Sequence, residues 1–278
     1  MTLDRLRAVR DGLGSNRFRA LRDGAIIAGL LFDLAIFVVG GPIRQTLGAD
    51  AYAYWSLNVD HPYVDSMGSL GAFLYSPVAV RAFAPASLVS WPVFWWLWTA
   101  VLVATVIWLG GRKTLWLLAF PPVALELYYG NVNLLIAAAI ALGFRYPAAW
   151  AFVLVTKLTP GVGLLWFAVR REWRRLAIAL GVTLALVLAS VAIDGSLWSD
   201  WLALLTQSAP TPAQAFGVSL AIRIPIAAVI VAWGARTDRR WTVPVGATLA
   251  LPGLWIAGLS VLAAIPAVNR PELRETPA

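Results

Sequence analysis

Nine apolar runs, several of them separated by short basic loops, constrain this chain more than any other feature. They cover residues 24–41, 72–90, 92–111, 115–129, 132–144, 148–169, 176–193, 216–234 and 243–266. A soluble chain of this size must cover its surface with polar groups. Here 60% of residues are apolar or aromatic, 13% are charged and mean hydropathy is +0.75; soluble domains run at roughly 45–50% and 25%. That surplus excludes an ordinary cytosolic enzyme, a secreted disulfide scaffold and a disordered tail. It implies an all-α, polytopic membrane bundle of about eight or nine hydrophobic segments. The absence of Cys removes disulfides, thiol nucleophiles and thiolate metal sites. A single His, His61, removes a His-rich metal centre.

The net charge of +8 would suit nucleic acid, but its placement does not. Arg5, Arg7, Arg10, Arg17, Arg19 and Arg22 precede the first run. Arg112 and Lys113, Arg145, Arg170 to Arg175, and Arg236 to Arg240 punctuate later ones. Short basic loops of this kind mark the cytoplasmic side of a membrane protein. No basic face with interleaved aromatics forms elsewhere, so no nucleic-acid partner is expected. Residues 24–41 read as a retained helix, because no small-residue cleavage site follows Gly41.

Strict alternation of nine spans would put some basic loops outside. Two fold-backs remove the conflict. Residues 72–90, interrupted by Pro77 and Pro85, stay at the outer side as a short or re-entrant helix. Residues 148–169, interrupted at Lys157-Leu158-Thr159-Pro160, form a hairpin of two half-helices. Broken helices are tolerated at membrane depth where protein or a water-filled cavity covers them, and they often build substrate sites. The expected organisation is then a cytoplasmic basic N-terminus (1–23), one membrane domain (24–266) with outer loops 42–71 and 194–215, and a polar tail (267–278). The lack of an internal repeat disfavours an inverted-repeat transporter.

Charged groups at membrane depth cost roughly 2.5–3.5 kcal/mol each on insertion scales, so Asp33, Arg81, Glu126, Lys157 and Arg223 each need an explanation. Asp33 has nothing nearby in sequence to pair with, and Arg81 can snorkel to the outer interface. Lys157 lies midway along its run, too far from either boundary to snorkel. Together with Arg223 it is a candidate for binding a phosphate. Asn131 and Asn133 are polar companions of Glu126. The first outer loop gathers Asp50, Asp60 and Asp65, Tyr52, Tyr54 and Tyr63, Trp55 and His61 within sixteen residues. Aromatics beside carboxylates hold sugar rings, through CH faces on the ring and hydroxyls on the acid. The same residues also suit an interfacial helix with solvated acids, and composition does not choose between the two.

Several segments in order carry a resemblance: Asp50-x-Tyr52-x-Tyr54; Phe73-Leu74-Tyr75-Ser76-Pro77; Glu126-x-x-x-Gly130-Asn131-Val132-Asn133; Lys157-Leu158-Thr159-Pro160-Gly161; Ser219-Leu220-x-x-Arg223; and Pro252-x-x-Trp255. This set resembles glycosyltransferase family 87, the polyprenyl-phosphate-mannose-dependent α-mannosyltransferases with the GT-C membrane fold. Gly130-Asn131-Val132-Asn133 replaces the family's common Gly-Gln-x-Asn and keeps an amide. Trp255 is followed by Ile256-Ala257, where relatives often carry an acid or His.

The resemblance implies an inverting transfer of mannose, or a related hexose or pentose, at the outer face of a bacterial plasma membrane. The donor is a polyprenyl-phosphate-linked sugar and the acceptor a lipid or glycolipid. By position and pattern the catalytic base maps to Asp50, with Asp60 the runner-up and Asp65 third. Lys157 and Arg223 would meet the donor phosphate. Tyr52, Tyr54, Tyr75, Glu126, Asn131 and Asn133 would contact sugar or acceptor. No cofactor and no metal ligands are indicated, although some GT-C enzymes use a divalent ion. The alternatives are a lipid-linked sugar transporter and a non-catalytic, glycolipid-binding scaffold.

Overall fold

The computed structural model describes residues 3–40, 45–65, 69–207 and 217–273, with side chains from Arg17 onward. The side chains of Arg5, Arg7 and Arg10 lie outside the described residues, as do residues 41–44, 66–68, 208–216 and 274–278 of the expected loops and tail. Among the described residues every regular element is helical.

Helix α1 (Leu3–Ala35) runs through the basic N-terminus and ends in a π-helical turn at Ile36–Gly40. A short α2 (Ala49–Trp55) and α3 (Pro77–Phe83) follow, the latter continued by a 3-10 segment at Ala84–Leu88. Pro77 starts α3, where a missing N–H costs nothing, and Pro85 turns the chain; the pair is too short to span. Next come α4 (Trp91–Gly110), α5 (Thr114–Leu118), α6 (Pro121–Tyr129) and α7 (Asn133–Gly143). The remainder is α8 (Trp150–Thr156), α9 (Leu165–Val169), α10 (Trp173–Ile193), α11 (Ser196–Gln207), α12 (Leu220–Arg236), α13 (Thr242–Leu249) and α14 (Ile265–Val268), with 3-10 segments at Thr159–Leu164 and Ala257–Ala264.

Two stretches are long and apolar enough to cross a membrane, Trp91–Leu118 and Trp173–Ile193. A third counts if α6 and α7, bent by 116°, form one broken span. The expected eight or nine segments therefore resolve into fewer full-length helices and several shorter apolar ones. The physical cause is glycine and proline. Gly130 ends α6, Pro160 opens a 3-10 segment, and Pro252 with Gly253 interrupts the 243–266 run. On α10, Leu180, Leu184, Leu188, Val191 and Ile193 are all exposed, an apolar surface suited to lipid rather than water.

The expected hairpin over 148–169 forms. Helix α8 stops at Thr156, Lys157 is extended, and the chain resumes at Thr159. Trp150, 1% exposed, holds this hairpin to the bent pair. Its indole lies against Gly143 of α7 and Gly163 of the hairpin's second arm, where any β-carbon would collide with it.

The basic loops gather at one end of the bundle. Arg270 donates to Leu109 O (2.7 Å), Arg145 to Glu272 O (2.8 Å), Arg240 to Leu273 O (3.2 Å) and Arg170 to Ala235 O (3.1 Å). At the opposite end of α10, Asp194 meets Arg81 of α3 (3.7 Å), and Trp201 of α11 donates to Leu74 O (3.2 Å). The acidic and aromatic loops therefore share one end, and Arg145, Arg170, Arg240 and Arg270 the other.

Candidate active site

The site is built where two helix breaks meet. Gly130 terminates α6 with φ of 73°, a left-handed conformation that disfavours any residue with a β-carbon. A β-carbon there would also sit 2.7 Å from Ala51 Cβ of α2. Trp98 of α4 pins the break by donating to Gly130 O (2.7 Å). Helix α2 is fixed from its own side: Gly48, at φ of 75°, donates its N–H to Tyr128 O (2.8 Å). These contacts bring Asp50, in the first turn of α2, against Asn131 in the bend.

Asn131 links acid to base. Its Nδ2 donates to Asp50 Oδ2 (2.8 Å), while its Oδ1 accepts from Lys157 Nζ (3.2 Å), Tyr75 OH (3.4 Å) and Val132 N (2.7 Å). Lys157 Nζ also donates to Asn133 Oδ1 (2.7 Å). Asn133 is oriented by Glu126, whose carboxylate accepts from Asn133 N (2.5 Å) and Nδ2 (2.9 Å). Glu126 is fully buried and caps the N-terminus of α7 across the bend, a favourable place for negative charge. A continuous path thus runs Asp50–Asn131–Lys157–Asn133–Glu126. No hydrogen bond reaches Asp50 Oδ1 among the described residues, and Asp50 and Lys157 are both half-buried.

Burial holds the Asp50 carboxyl above the usual aspartate range, against the opposing pull of the Asn131 amide and the Lys157 charge. Tyr54 and Tyr75 share a hydroxyl–hydroxyl bond of 2.9 Å beside it, and Tyr63 OH fixes Tyr75 through its carbonyl (2.9 Å). Burial pushes the Tyr54 hydroxyl well up, so it stays protonated and donates to Tyr75, whose own proton goes to Asn131. Tyr54 stacks on Phe83 (4.4 Å between centroids) and meets Trp98 edge-on. Tyr52 packs instead against Trp55 and Trp91.

The structure thus brings Asp50, Tyr54, Tyr75, Glu126, Asn131, Asn133 and Lys157 together. Asp60, His61 and Asp65 are exposed; in that turn Asn58 Oδ1 accepts from the backbone N–H of Asp60 and His61. Asp33 is buried in α1 with neither oxygen hydrogen-bonded among the described residues. Arg223 takes a different part from the one its sequence suggested. It is 3% exposed, and its guanidinium donates to the carbonyls of Val218, Leu249, Leu251 and Pro252 at 2.7–3.2 Å. It shapes the turn after α13, on which Thr159 docks through Ala250 O, and so supports the hairpin beside Lys157. Among the described residues no group of three carboxylates or histidines gathers at one point.

Trp98 escaped the sequence, and Tyr63 and Ser76, though they lie in segments that the sequence singles out, carry no sign there of being supports. Ser76 Oγ donates to Val155 O (2.5 Å) and ties the start of α3 to the hairpin. Nothing in a run rich in Trp distinguishes the indole that holds Gly130 from those facing lipid.

Apolar helices broken around a buried acid, two amides and a lysine define a membrane-embedded protein with a polar site at one end. The pattern of glycosyltransferase family 87 matches residues 73–276, so the chain belongs to that family and is a membrane glycosyltransferase. The matched region includes Tyr75, Glu126, Asn131, Asn133, Lys157 and Arg223; Asp50 precedes it. Comparison with curated proteins and with solved structures finds no match.

Proposed function

We propose that the protein transfers mannose, or a related hexose or pentose, from a polyprenyl-phosphate donor to a lipid or glycolipid acceptor. The reaction takes place at the outer face of a bacterial plasma membrane. The observation that carries this reading is the Asp50–Asn131–Lys157 path, a carboxylate and an ammonium held by a single amide at the junction of two broken helices. Those two charges stand no more than roughly 8 Å apart, two hydrogen bonds and one amide group.

Asp50 Oδ1 takes the proton of the acceptor hydroxyl. The acceptor oxygen forms its bond to the anomeric carbon as the bond from that carbon to the phosphate oxygen breaks, with inversion. The electron pair leaves with polyprenyl phosphate, a good leaving group that needs no strong general acid. Lys157 offsets the charge that develops on it. Tyr54 donates to Tyr75 and Tyr75 to Asn131, so the buried tyrosine pair steadies the amide that holds Asp50. Arg223 acts through the turn it holds rather than on the donor.

The test is transfer of radiolabelled mannose from polyprenyl-phosphate-mannose to membrane glycolipids, with wild type and Asp50→Asn in parallel. Transfer by wild type that is lost in the variant supports the reading. No transfer by wild type with any lipid-linked donor overturns it in favour of a scaffold or transporter.

A further inference from the structure

At the arginine-rich end, far from Asp50, the turn between α9 and α10 borders an open surface cavity of about 520 Å³. Five arginines line it (Arg170, Arg171, Arg174, Arg175 and Arg240) against one acid, Glu172. A topology signal needs only positive charge in a loop; it does not need a cavity.

Three of the arginines are anchored. Arg170 pairs with Glu172 (2.9 Å) and Asp238 (3.1 Å) and lies over the Trp166 ring. Arg175 pairs with Glu172 (2.9 Å), and Arg240 lies over Phe144 while donating to Leu273 O. Arg171 and Arg174 are exposed, and their side chains make no hydrogen bond or ion pair among the described residues. Arg171 also adopts φ of 59°, a backbone conformation that costs about 1–2 kcal/mol for a residue with a β-carbon. Glycine would remove that cost, yet an arginine occupies the position and its side chain gains no partner in return.

Position adds to chemistry. The cavity opens at the first turn of α10, and that 21-residue helix is about 30 Å long. It therefore lies one hydrocarbon thickness from Asp194 and the end that carries Asp50. Trp173, 59% exposed, stands beside it where tryptophan marks a membrane interface. Guanidinium forks match phosphate oxygens, and basic pockets between membrane helices take anionic headgroups.

We propose that this cavity is a second binding site, separate from the transfer site, for a phosphate group: the headgroup of an anionic phospholipid or a soluble phosphate. Arg171 and Arg174 would grip the ligand, with Arg170, Arg175 and Arg240 as a fixed cationic wall.

The test uses the purified full chain in neutral detergent and reads the thermal shift on adding phosphatidylglycerol, diacylglycerol or inorganic phosphate. Phosphatidylglycerol stabilises the wild type and diacylglycerol does not. A shift from inorganic phosphate at comparable concentration assigns the ligand to the soluble source. The double variant Arg171→Gln/Arg174→Gln needs at least tenfold more phosphate ligand for the same shift. Arg171→Lys/Arg174→Lys, which keeps the charge but not the guanidinium fork, responds more than the glutamine variant and less than wild type. Arg112→Gln/Lys113→Gln removes equal charge from another loop at this end and keeps the response. Equal responses from wild type and the 171/174 glutamine variant overturn the proposal. Equal loss in the 112/113 variant also overturns it and leaves the arginines as a topology signal alone.

Discussion

Replacing Asn131 with aspartate tests the Asp50–Asn131 pairing almost without changing shape. The amide nitrogen that donates to Asp50 Oδ2 at 2.8 Å becomes a carboxylate oxygen. Two unit charges 4 Å apart repel by about 4 kcal/mol at an effective dielectric constant of 20, roughly a thousandfold in proton affinity. The new carboxylate inherits the Lys157 contact at 3.2 Å and stays ionised. The shared proton therefore settles on Asp50, whose affinity for it burial has already raised. The sign follows: a base that must be ionised to work loses activity as pH falls, and a raised pKa moves that loss to higher pH. In Asn131→Asp the acid limb of transfer moves up by about two to three pH units, so the variant loses activity at a pH where wild type is still fully active. The assay is initial transfer rate from polyprenyl-phosphate-mannose between pH 5 and 9. The exchanged pair, Asp50→Asn with Asn131→Asp, has one carboxylate and returns the limb towards its wild-type position. Transfer stays slow, because the base has moved away from its place. An Asn131→Asp profile that coincides with wild type refutes the pairing.

Three other perturbations follow from the same geometry. Gly130→Ala forces a β-carbon to within 2.7 Å of Ala51 Cβ at a left-handed φ; it should destabilise by about 2–4 kcal/mol, measured by thermal unfolding in detergent, and slow transfer because Ala51 adjoins Asp50. Glu126→Gln turns one of two acceptors toward Asn133 into a donor, costing about 1.5–3 kcal/mol in the same measurement; transfer should fall with it because Asn133 no longer presents its oxygen to Lys157. Arg223→Met leaves the carbonyls of Leu249 and Leu251 without their donor, at about 3 kcal/mol or more. It should lower thermal stability while the acid limb of transfer stays in place.

How much of this was legible in the sequence depended on whether a signal was local. The hairpin break was legible because Pro160 cannot continue a helix and Lys157 cannot lie idle among apolar residues. Helix α3 was legible as a short element for the same reason, from Pro77 and Pro85. The bend at Gly130 was not. The sequence shows two apolar runs with a small polar gap, and only the left-handed glycine with its contact to Ala51 folds them back on each other. The meeting of Glu126 and Asn133 across that bend has no periodicity to reveal it. Arg223 marks the limit most clearly: an intramembrane arginine must find acceptors, and sequence cannot say whether they are phosphate oxygens or backbone carbonyls. Asp50 stood out among three carboxylates only through its resemblance to family 87, whereas the structure separates it physically: Asp50 is half-buried on an amide, and Asp60 and Asp65 are in water.

The account rests on Asp50 as the base that Asn131 positions opposite Lys157. Single-turnover transfer from radiolabelled polyprenyl-phosphate-mannose, comparing wild type with Asp50→Asn at matched protein and lipid, tests it most directly. The account predicts a fall of at least a hundredfold in the rate of the transfer step, with donor binding retained. Equal single-turnover rates for the two proteins would contradict it and move the base to Asp60.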